Sequence, residues 1–187
     1  MSLRDTSHEE IPMNKAVLEE LWEHFRTVNG ITLRAIQAIP ADKVDAHACK
    51  DMRTPKELIA HMYNTMRSVT DGVQKGEIAD TEKDDTKIAA GIHSRDELHR
   101  FALDSWNFAD RIVRSLPNEK IEGLVKTPWN VTFPGFICVN IVYDEHLHHR
   151  GQLYAFLRQL GVEPPMMWDF EHNAPEFQPR MAAAPQA

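Results

Sequence analysis

A carboxylate and a histidine placed four positions apart near the end of the chain are suited to binding a metal ion. They lie in a run from Cys138 to Leu160 that reads CVNIVYDEHLHHRGQLYAFLRQL. At 3.6 residues per turn, the apolar side chains of this run form one stripe; His149 lies on it and Glu145 about 40° to one side. Burying an imidazole and a carboxylate on an apolar face is costly unless each has a partner. A metal ion would satisfy both side chains at once.

The segments that must position these side chains have the apolar period of helices. Residues 15 to 39 keep apolar positions at i, i+3 and i+4, which predicts one long helix with a weak or kinked point at Gly30. Thr54 to Glu57 is a capping-box signature and predicts a second helix over residues 55 to 74. His61 lies at the edge of the apolar arc of this helix. An edge position suits a side chain that faces a cavity between helices.

A second capping-box signature, Ser94 to Glu97, opens a third helix that ends at Pro117. The charged, aperiodic segment 75 to 92 is interpreted as a solvated loop to which no chemistry is assigned. Residues 118 to 136 are rich in Gly and Pro and predict an irregular crossover, in which the stretch VKTPWNVTF is either simply extended or a short hairpin limited by Pro128. Four amphipathic helices without convincing strand alternation predict an all-α, up-down four-helix bundle, with this crossover before the last helix.

The chain is expected to form one domain over residues 1 to 187, because this length can bury a sizeable core. We expect residues 1 to 12 and about 175 to 187 to be flexible tails. Between the last helix and that tail, the cluster formed by Met166, Trp168 and Phe170 is expected to pack across the bundle.

Composition excludes several classes of partner. The formal net charge of -7 and the absence of clustered Lys and Arg argue against binding to nucleic acid. No apolar run approaches the ~20 residues of a membrane span, and the first thirty residues lack the pattern of a signal peptide. Two cysteines do not make a disulfide framework. The expected compartment is therefore the reducing cytoplasm, and the expected partner is a small molecule or a second copy of the chain.

The run HHRGQLYAFLRQLGVEPP, residues 148 to 165, resembles the signature of the DinB/YfiT-like superfamily. His61 stands on the second helix where that family carries its first histidine, and the resemblance covers roughly residues 14 to 170. It implies a divalent metal, usually zinc or nickel, bound by one histidine of the second helix and two of the last helix spaced His-x-x-x-His. Carried over to this sequence, the resemblance implies His61 and His149 as ligands.

The sequence departs from the family pattern at the third ligand, because Glu145 stands four residues before His149. The neighbouring His146 is displaced by one residue, and the helical projection favours Glu145 over it. The predicted ligands are therefore His61, Glu145 and His149, with His146 as the alternative to Glu145. Two histidines and one carboxylate suit Zn, Ni, Mn or Fe(II). Two other roles for Glu145 stay open: holding a histidine tautomer without binding the ion itself, or pairing with Arg150.

Neighbouring side chains have their own interpretations. Arg150 could clamp a substrate carboxylate, pair with a glutamate on its own helix, or contact a second subunit. Gly151 in mid-helix indicates a close helix approach. Gln152 is expected to bond a backbone group, His148 to be interfacial or exposed, and Cys138 to face the core.

The family resemblance implies a metal-dependent thiol S-transferase that uses a low-molecular-weight thiol such as bacillithiol, mycothiol or glutathione, with a metal-activated hydrolase as the second choice. No catalytic residue is identified, because no separate general base is evident in the sequence. The alternative is a non-catalytic metal-binding or dimerising stress-response module. A homodimer is expected in either case, from the small residue at Gly151, the polar run around Arg150 and the habit of the family.

Overall fold

The computed structural model describes residues 15–180, which fold into an all-α bundle with one small hairpin. The helices and strands are α1 (Lys15–Gln37), α2 (Pro55–Lys75), α3 (Asp85–Ala90), α4 (Arg95–Ser115), α5 (Asn118–Glu122), β1 (Leu124–Lys126), β2 (Thr132–Pro134) and α6 (Gly135–Gln159). Within this part of the chain, no helix combines the length and apolar character needed to cross a bilayer.

The four long helices form the bundle. Both α1 and α2 pack against α4 and α6, so α1 and α2 occupy one diagonal of the bundle and α4 and α6 the other. The all-α bundle predicted from the sequence is confirmed. The irregular crossover before α6 is also confirmed: β1 and β2 pair antiparallel, with Val125 opposite Phe133.

The helix boundaries follow the local sequence signals. At Thr54 the complete capping box is present, since its hydroxyl accepts from the Glu57 amide and the Glu57 carboxylate accepts from the Thr54 amide. At the start of α4 only half of the box forms. The Ser94 hydroxyl accepts from the Glu97 amide, but the Glu97 carboxylate accepts from the amide of His93. The helix α6 begins at Gly135, ahead of the expected start at Cys138.

The helix α1 is continuous through Gly30, and the C-terminal segment explains why glycine stands there. A Cβ at Gly30 would lie 2.5 Å from the Cβ of Phe177 and 2.6 Å from the amide nitrogen of Asn173. Asn173 donates to the Thr27 carbonyl, and the Arg26 guanidinium donates to carbonyls of the same segment. The segment is therefore fastened along α1.

This packing corrects the expected boundary of the C-terminal tail, because Phe177 is buried. The expected packing of the cluster before it is right only in part. Phe170 packs against the core, whereas Met166 and Trp168 are exposed. The expected tail over residues 1 to 12, and the end of the chain from residue 181, lie outside the described residues.

Gly151 differs from Gly30, because a Cβ built at Gly151 meets no atom within 4 Å. The prediction that another helix of the same chain packs closely against Gly151 is therefore wrong.

We predict that Gly30→Ala lowers the free energy of unfolding by about 1 to 3 kcal/mol through overpacking against Phe177. The matched variant Gly151→Ala should raise it by about 0.5 to 1 kcal/mol, because alanine is the better helix former. Urea denaturation of both variants measures the two effects, and equal shifts would contradict the packing described here.

Candidate metal centre

Three side chains with metal-binding atoms converge between α2 and α6. They are His61 of α2 and Glu145 and His149 of α6, and one ligand atom from each lies within 4.8 Å of the other two. The His149 Nε2 lies 3.1 Å from the Glu145 Oε2, and the centres of the two imidazole rings are 5.0 Å apart. Because ligand bonds are about 2.0 to 2.2 Å long, small side-chain rotations separate this arrangement from a shared coordination sphere.

The His61 imidazole is oriented by a hydrogen bond to a carboxylate. Its Nδ1 lies 2.6 Å from the Asp85 Oδ2, and a carboxylate accepts hydrogen bonds, so Nδ1 carries the proton. The other oxygen of Asp85 accepts from the Asn64 amide at 2.7 Å, which fixes the carboxylate in turn. This tautomer leaves the lone pair on Nε2 of His61 for a ligand bond.

The His149 ring is held in the same way by an amide. Its Nδ1 lies 3.1 Å from the Gln152 Oε1, while the Gln152 Nε2 lies 3.0 Å from the Nε2 of the exposed His148. The role expected for Gln152, a bond to the backbone, is therefore wrong, whereas the exposure expected for His148 is confirmed. The Glu145 carboxylate only accepts, so the Nε2 of His149, 3.1 Å from its Oε2, donates to it, and an ion bound here would take the place of that proton. Burial lowers the pKa of His149, which favours the neutral form that a metal ligand requires.

Glu145 is the most open member of the group, with 42% of its side chain exposed. Together with His61 it lines a cavity of about 190 Å³ between α2, the hairpin turn and α6. The carboxylate therefore lies where the predicted metal group meets this cavity.

The histidine considered as the alternative to Glu145 is placed elsewhere. His146 is buried in the core, where its Nε2 lies 2.7 Å from the Thr32 hydroxyl and its ring packs edge-on against Phe25 and Tyr63. Burial lowers the pKa of His146 to about 3, so the imidazole is neutral. His146 thus faces α1, and it is not part of the ligand group that the described residues form.

Arg150 also faces away from the predicted metal group. Its guanidinium is buried and lies 5.8 Å from the centre of the Tyr154 ring. In the part of the chain that is described, it forms no ion pair with Glu145, and it does not line the cavity beside His61. The structure therefore gives no support to Arg150 as a clamp at this cavity or as the partner of Glu145.

A second cluster with ligand atoms lies on the surface after α6. It comprises Asp169, Glu171 and His172, of which the last two are exposed. Asp169 is already engaged by the Arg34 guanidinium at 2.7 Å. Through Asp169, this cluster fastens the C-terminal segment to α1.

Sequence reasoning misses Asp85. It belongs to the charged segment that the sequence predicts to be a solvated loop without chemistry, and that prediction is wrong at this residue. Asp85 opens the short helix α3, is buried, and contacts His61. No local signal separates it from its neighbour Asp84, because the packing of α3 on α2 selects one of two adjacent carboxylates.

We predict that Asp85→Asn weakens metal binding by about 10- to 100-fold, the usual effect of losing a partner that orients a ligand histidine. The matched control is Asp84→Asn, which removes the same charge at the neighbouring exposed position. Competition with a chromogenic chelator measures both affinities. Equal affinities for the two variants would contradict the orienting role of Asp85.

The fold and this group of side chains together define the class of protein. It is a four-helix bundle with a candidate metal centre of two histidines and one carboxylate between α2 and α6. The sequence model of the DinB family matches residues 13–181, and the chain belongs to the DinB family. The crystal structure of the DinB-like protein YjoA from Bacillus subtilis is similar, with a TM-score of 0.66 and 16% identity. The match covers 87% of this chain and 99% of that chain, and at this identity it shows a shared fold. None of the curated proteins compared with the chain matches it.

Proposed function

We propose that this protein is a metal-dependent thiol S-transferase that binds a divalent metal ion through His61, Glu145 and His149. The observation that carries the proposal is the orientation of the two imidazoles. Asp85 and Gln152 each contact one ring at its Nδ1, so the Nε2 of each ring is the atom available to an ion, and one ligand atom of each histidine lies within 4.8 Å of a Glu145 carboxylate oxygen. Two histidines held in this way and one carboxylate match the donor sets of zinc, nickel and other divalent ions.

Three protein ligands leave further coordination positions for a substrate. When bound, the ion would supply Lewis-acid chemistry that lowers the pKa of a water or thiol. The cavity of about 190 Å³ that reaches His61 and Glu145 provides access for such a molecule. Membership of the DinB family supports the proposal, because the family is associated with metals.

Thiol transfer is favoured over hydrolysis by the way the histidines are engaged. The rings of His61 and His149 are occupied by Asp85, Gln152 and each other, which leaves Asp80 as the one further acidic or basic side chain, besides Glu145, among the described residues that line the cavity. A thiol ionises near pH 8.5, far more readily than water, and therefore needs less help from a general base. Metal-activated hydrolysis is accordingly the second candidate.

The test begins with elemental analysis of protein purified without a histidine tag or added metal. We expect about one divalent ion per chain, held by the three ligands. Transfer of a thiol to a chromogenic electrophile should then depend on that ion and return when metal is restored after chelation. A bound ion without thiol transfer or hydrolysis would support the alternative, a non-catalytic module in which the ion braces the bundle. No uptake of any divalent ion would contradict metal binding itself.

We also propose that the protein is a homodimer. Gly151 is exposed, and a methyl group added there would meet no atom of the same chain within 4 Å, so this part of α6 has room for contact with a second copy. A stable interface should bury more than about 1,000 Å². Light scattering should give twice the chain mass at micromolar concentration, and Gly151→Glu should shift it toward the monomer. A single chain mass for the unaltered protein would contradict the proposal.

A further inference from the structure

The cavity beside the predicted metal group extends along α2 and α6, away from the ligands. On α2 it is lined by His61 and also by Val69, eight positions later, which is about 12 Å along a helix axis. On α6 it is lined by Glu145 and by Ile141, one helical turn earlier. The cavity therefore has space for a molecule that reaches the ligand group at one end and continues past it.

The apolar side chains of both helices lie on the same side of the ligand group, because the helices run antiparallel. A Cβ built at Gly135, at the start of α6, would lie 3.1 Å from the Cγ1 of Val73, near the end of α2. Ile78 lines the cavity from the segment after α2, and its Cγ1 would lie 2.6 Å from a Cβ at Gly72. The part of the cavity that is remote from the ligands thus has aliphatic side chains from three segments.

The hairpin turn presents a tryptophan to the same cavity. Trp129 lines the cavity, yet 57% of this residue is exposed. The turn is held by Thr127, whose amide and hydroxyl both donate to the Val131 carbonyl. The strand before it is fixed to the segment after α2, since the Ile78 amide donates to the Lys126 carbonyl at 2.8 Å. The fold therefore places Trp129 at the cavity while leaving much of its apolar surface in water.

We infer that the part of the substrate that occupies this cavity is an uncharged apolar group, and that Trp129 binds it and determines the specificity. The inference rests on the proposed function. An apolar group that covers the indole removes apolar surface from water, and a ring also gains from packing against another aromatic ring. A charged group placed against Val69 and Ile141 would lose water without gaining a partner from these aliphatic side chains, which is costly.

The size of the cavity determines which probes are suitable. At about 190 Å³ it is smaller than the ~300 to 1,000 Å³ typical of sites for drug-sized ligands, so it accommodates a fragment such as one aromatic ring. Benzyl mercaptan and 2-mercaptoethanol are two such thiols. Both are uncharged beyond the sulfur, and they differ in that the first carries an apolar ring and the second a hydroxyl group.

The experiment uses full-length protein loaded with Co²⁺, in which a bound thiol is detected by its thiolate-to-cobalt absorption, independently of any activity. We expect benzyl mercaptan to bind at least about tenfold more tightly than 2-mercaptoethanol, because its ring is removed from water in the cavity. Equal affinity of the two thiols would overturn the inference while leaving the metal site intact.

Variants of Trp129 test its own role. Trp129→Ala should reduce the preference for benzyl mercaptan about five- to tenfold, because the ring loses its aromatic partner, while the affinity for 2-mercaptoethanol stays within about twofold. Trp129→Phe keeps an aromatic ring and should retain most of the preference. The matched control is Trp168→Ala, which removes the same side chain from an exposed position that does not line the cavity. It should leave the preference unchanged.

A second position repeats the test from another segment. Ile141→Ala shortens an apolar side chain of the cavity on α6 and should also lower the preference for benzyl mercaptan, which keeps the test available if Trp129→Ala does not fold. An unchanged preference in the folded Trp129→Ala variant, or in Ile141→Ala where the first does not fold, would overturn the inference. A protein that takes up no Co²⁺ would contradict the proposed function as well.

Discussion

Replacing Glu145 with glutamine should remove most of the metal from the protein while the helices remain folded. Glutamine keeps the length of the side chain but removes the anionic charge, and a neutral amide is a weak ligand for zinc or nickel. If Glu145 is a ligand, affinity should fall by more than the roughly 10- to 100-fold that the loss of an orienting partner produces. Metal stoichiometry measures the loss, and circular dichroism checks the fold.

The companion variant Glu145→His restores the residue that the family pattern carries at this position. It should keep the metal and shift the preference toward ions that favour imidazole over carboxylate. If Glu145 only orients His149 from 3.1 Å, glutamine should have the smaller effect and histidine should not rescue binding.

The matched control for both variants is Asp144→Asn. Asp144 is the preceding residue, is exposed, and accepts a hydrogen bond from Asn140. Its replacement removes one charge from the same turn of α6 without touching the ligand group. Metal content equal in the unaltered protein and the Glu145 variants would refute the assignment of Glu145 as a ligand.

Trp22→Ala is expected to have the largest effect on stability. Trp22 is buried on α1, its ring is stacked at 5.1 Å on Trp106 of α4, and it also packs edge-on against Phe25. Its indole Nε1 donates to the Asp110 carboxylate at 2.9 Å. Truncation should lower the free energy of unfolding by about 3 to 5 kcal/mol, because it removes a large apolar surface and leaves a cavity.

That loss is a large share of the roughly 5 to 15 kcal/mol that stabilises a typical domain. The control is Trp168→Ala, in which the same side chain is lost from an exposed position. It should change the free energy of unfolding by less than about 0.5 kcal/mol. Urea denaturation of the two variants compares them directly. Similar changes in the free energy of unfolding would show that the packing of Trp22 on Trp106 does not stabilise the fold as expected.

Much of the fold could be predicted from the sequence, because helices depend on local signals. The periodic apolar stripe and the Thr54 capping box predict the extent of α2 closely. The Gly- and Pro-rich composition between α4 and α6 correctly predicts an irregular crossover, and the structure selects the hairpin from the two forms considered for it. In α4 the buried face extends to Trp106, which is buried against Trp22. Periodicity finds a face of a helix but does not say how wide that face is.

The candidate ligands could also be predicted from the sequence, because they depend on one helix and one family signature. The spacing of Glu145 and His149 on α6 is a property of a single helix, and the family resemblance indicates His61. The structure brings one ligand atom from each of the three within 4.8 Å of the other two.

Other features were decided only by the tertiary structure, because they join segments distant in the chain. Asp85 contacts His61 because α3 packs onto α2. His146 is buried in the core, where its imidazole is hydrogen-bonded to the hydroxyl of Thr32 on α1. The lining of the cavity beside Glu145 likewise depends on which side chains α2, the hairpin turn and α6 bring together. A helical period describes one helix, whereas the partner of a buried polar group is set by the packing of helices against each other.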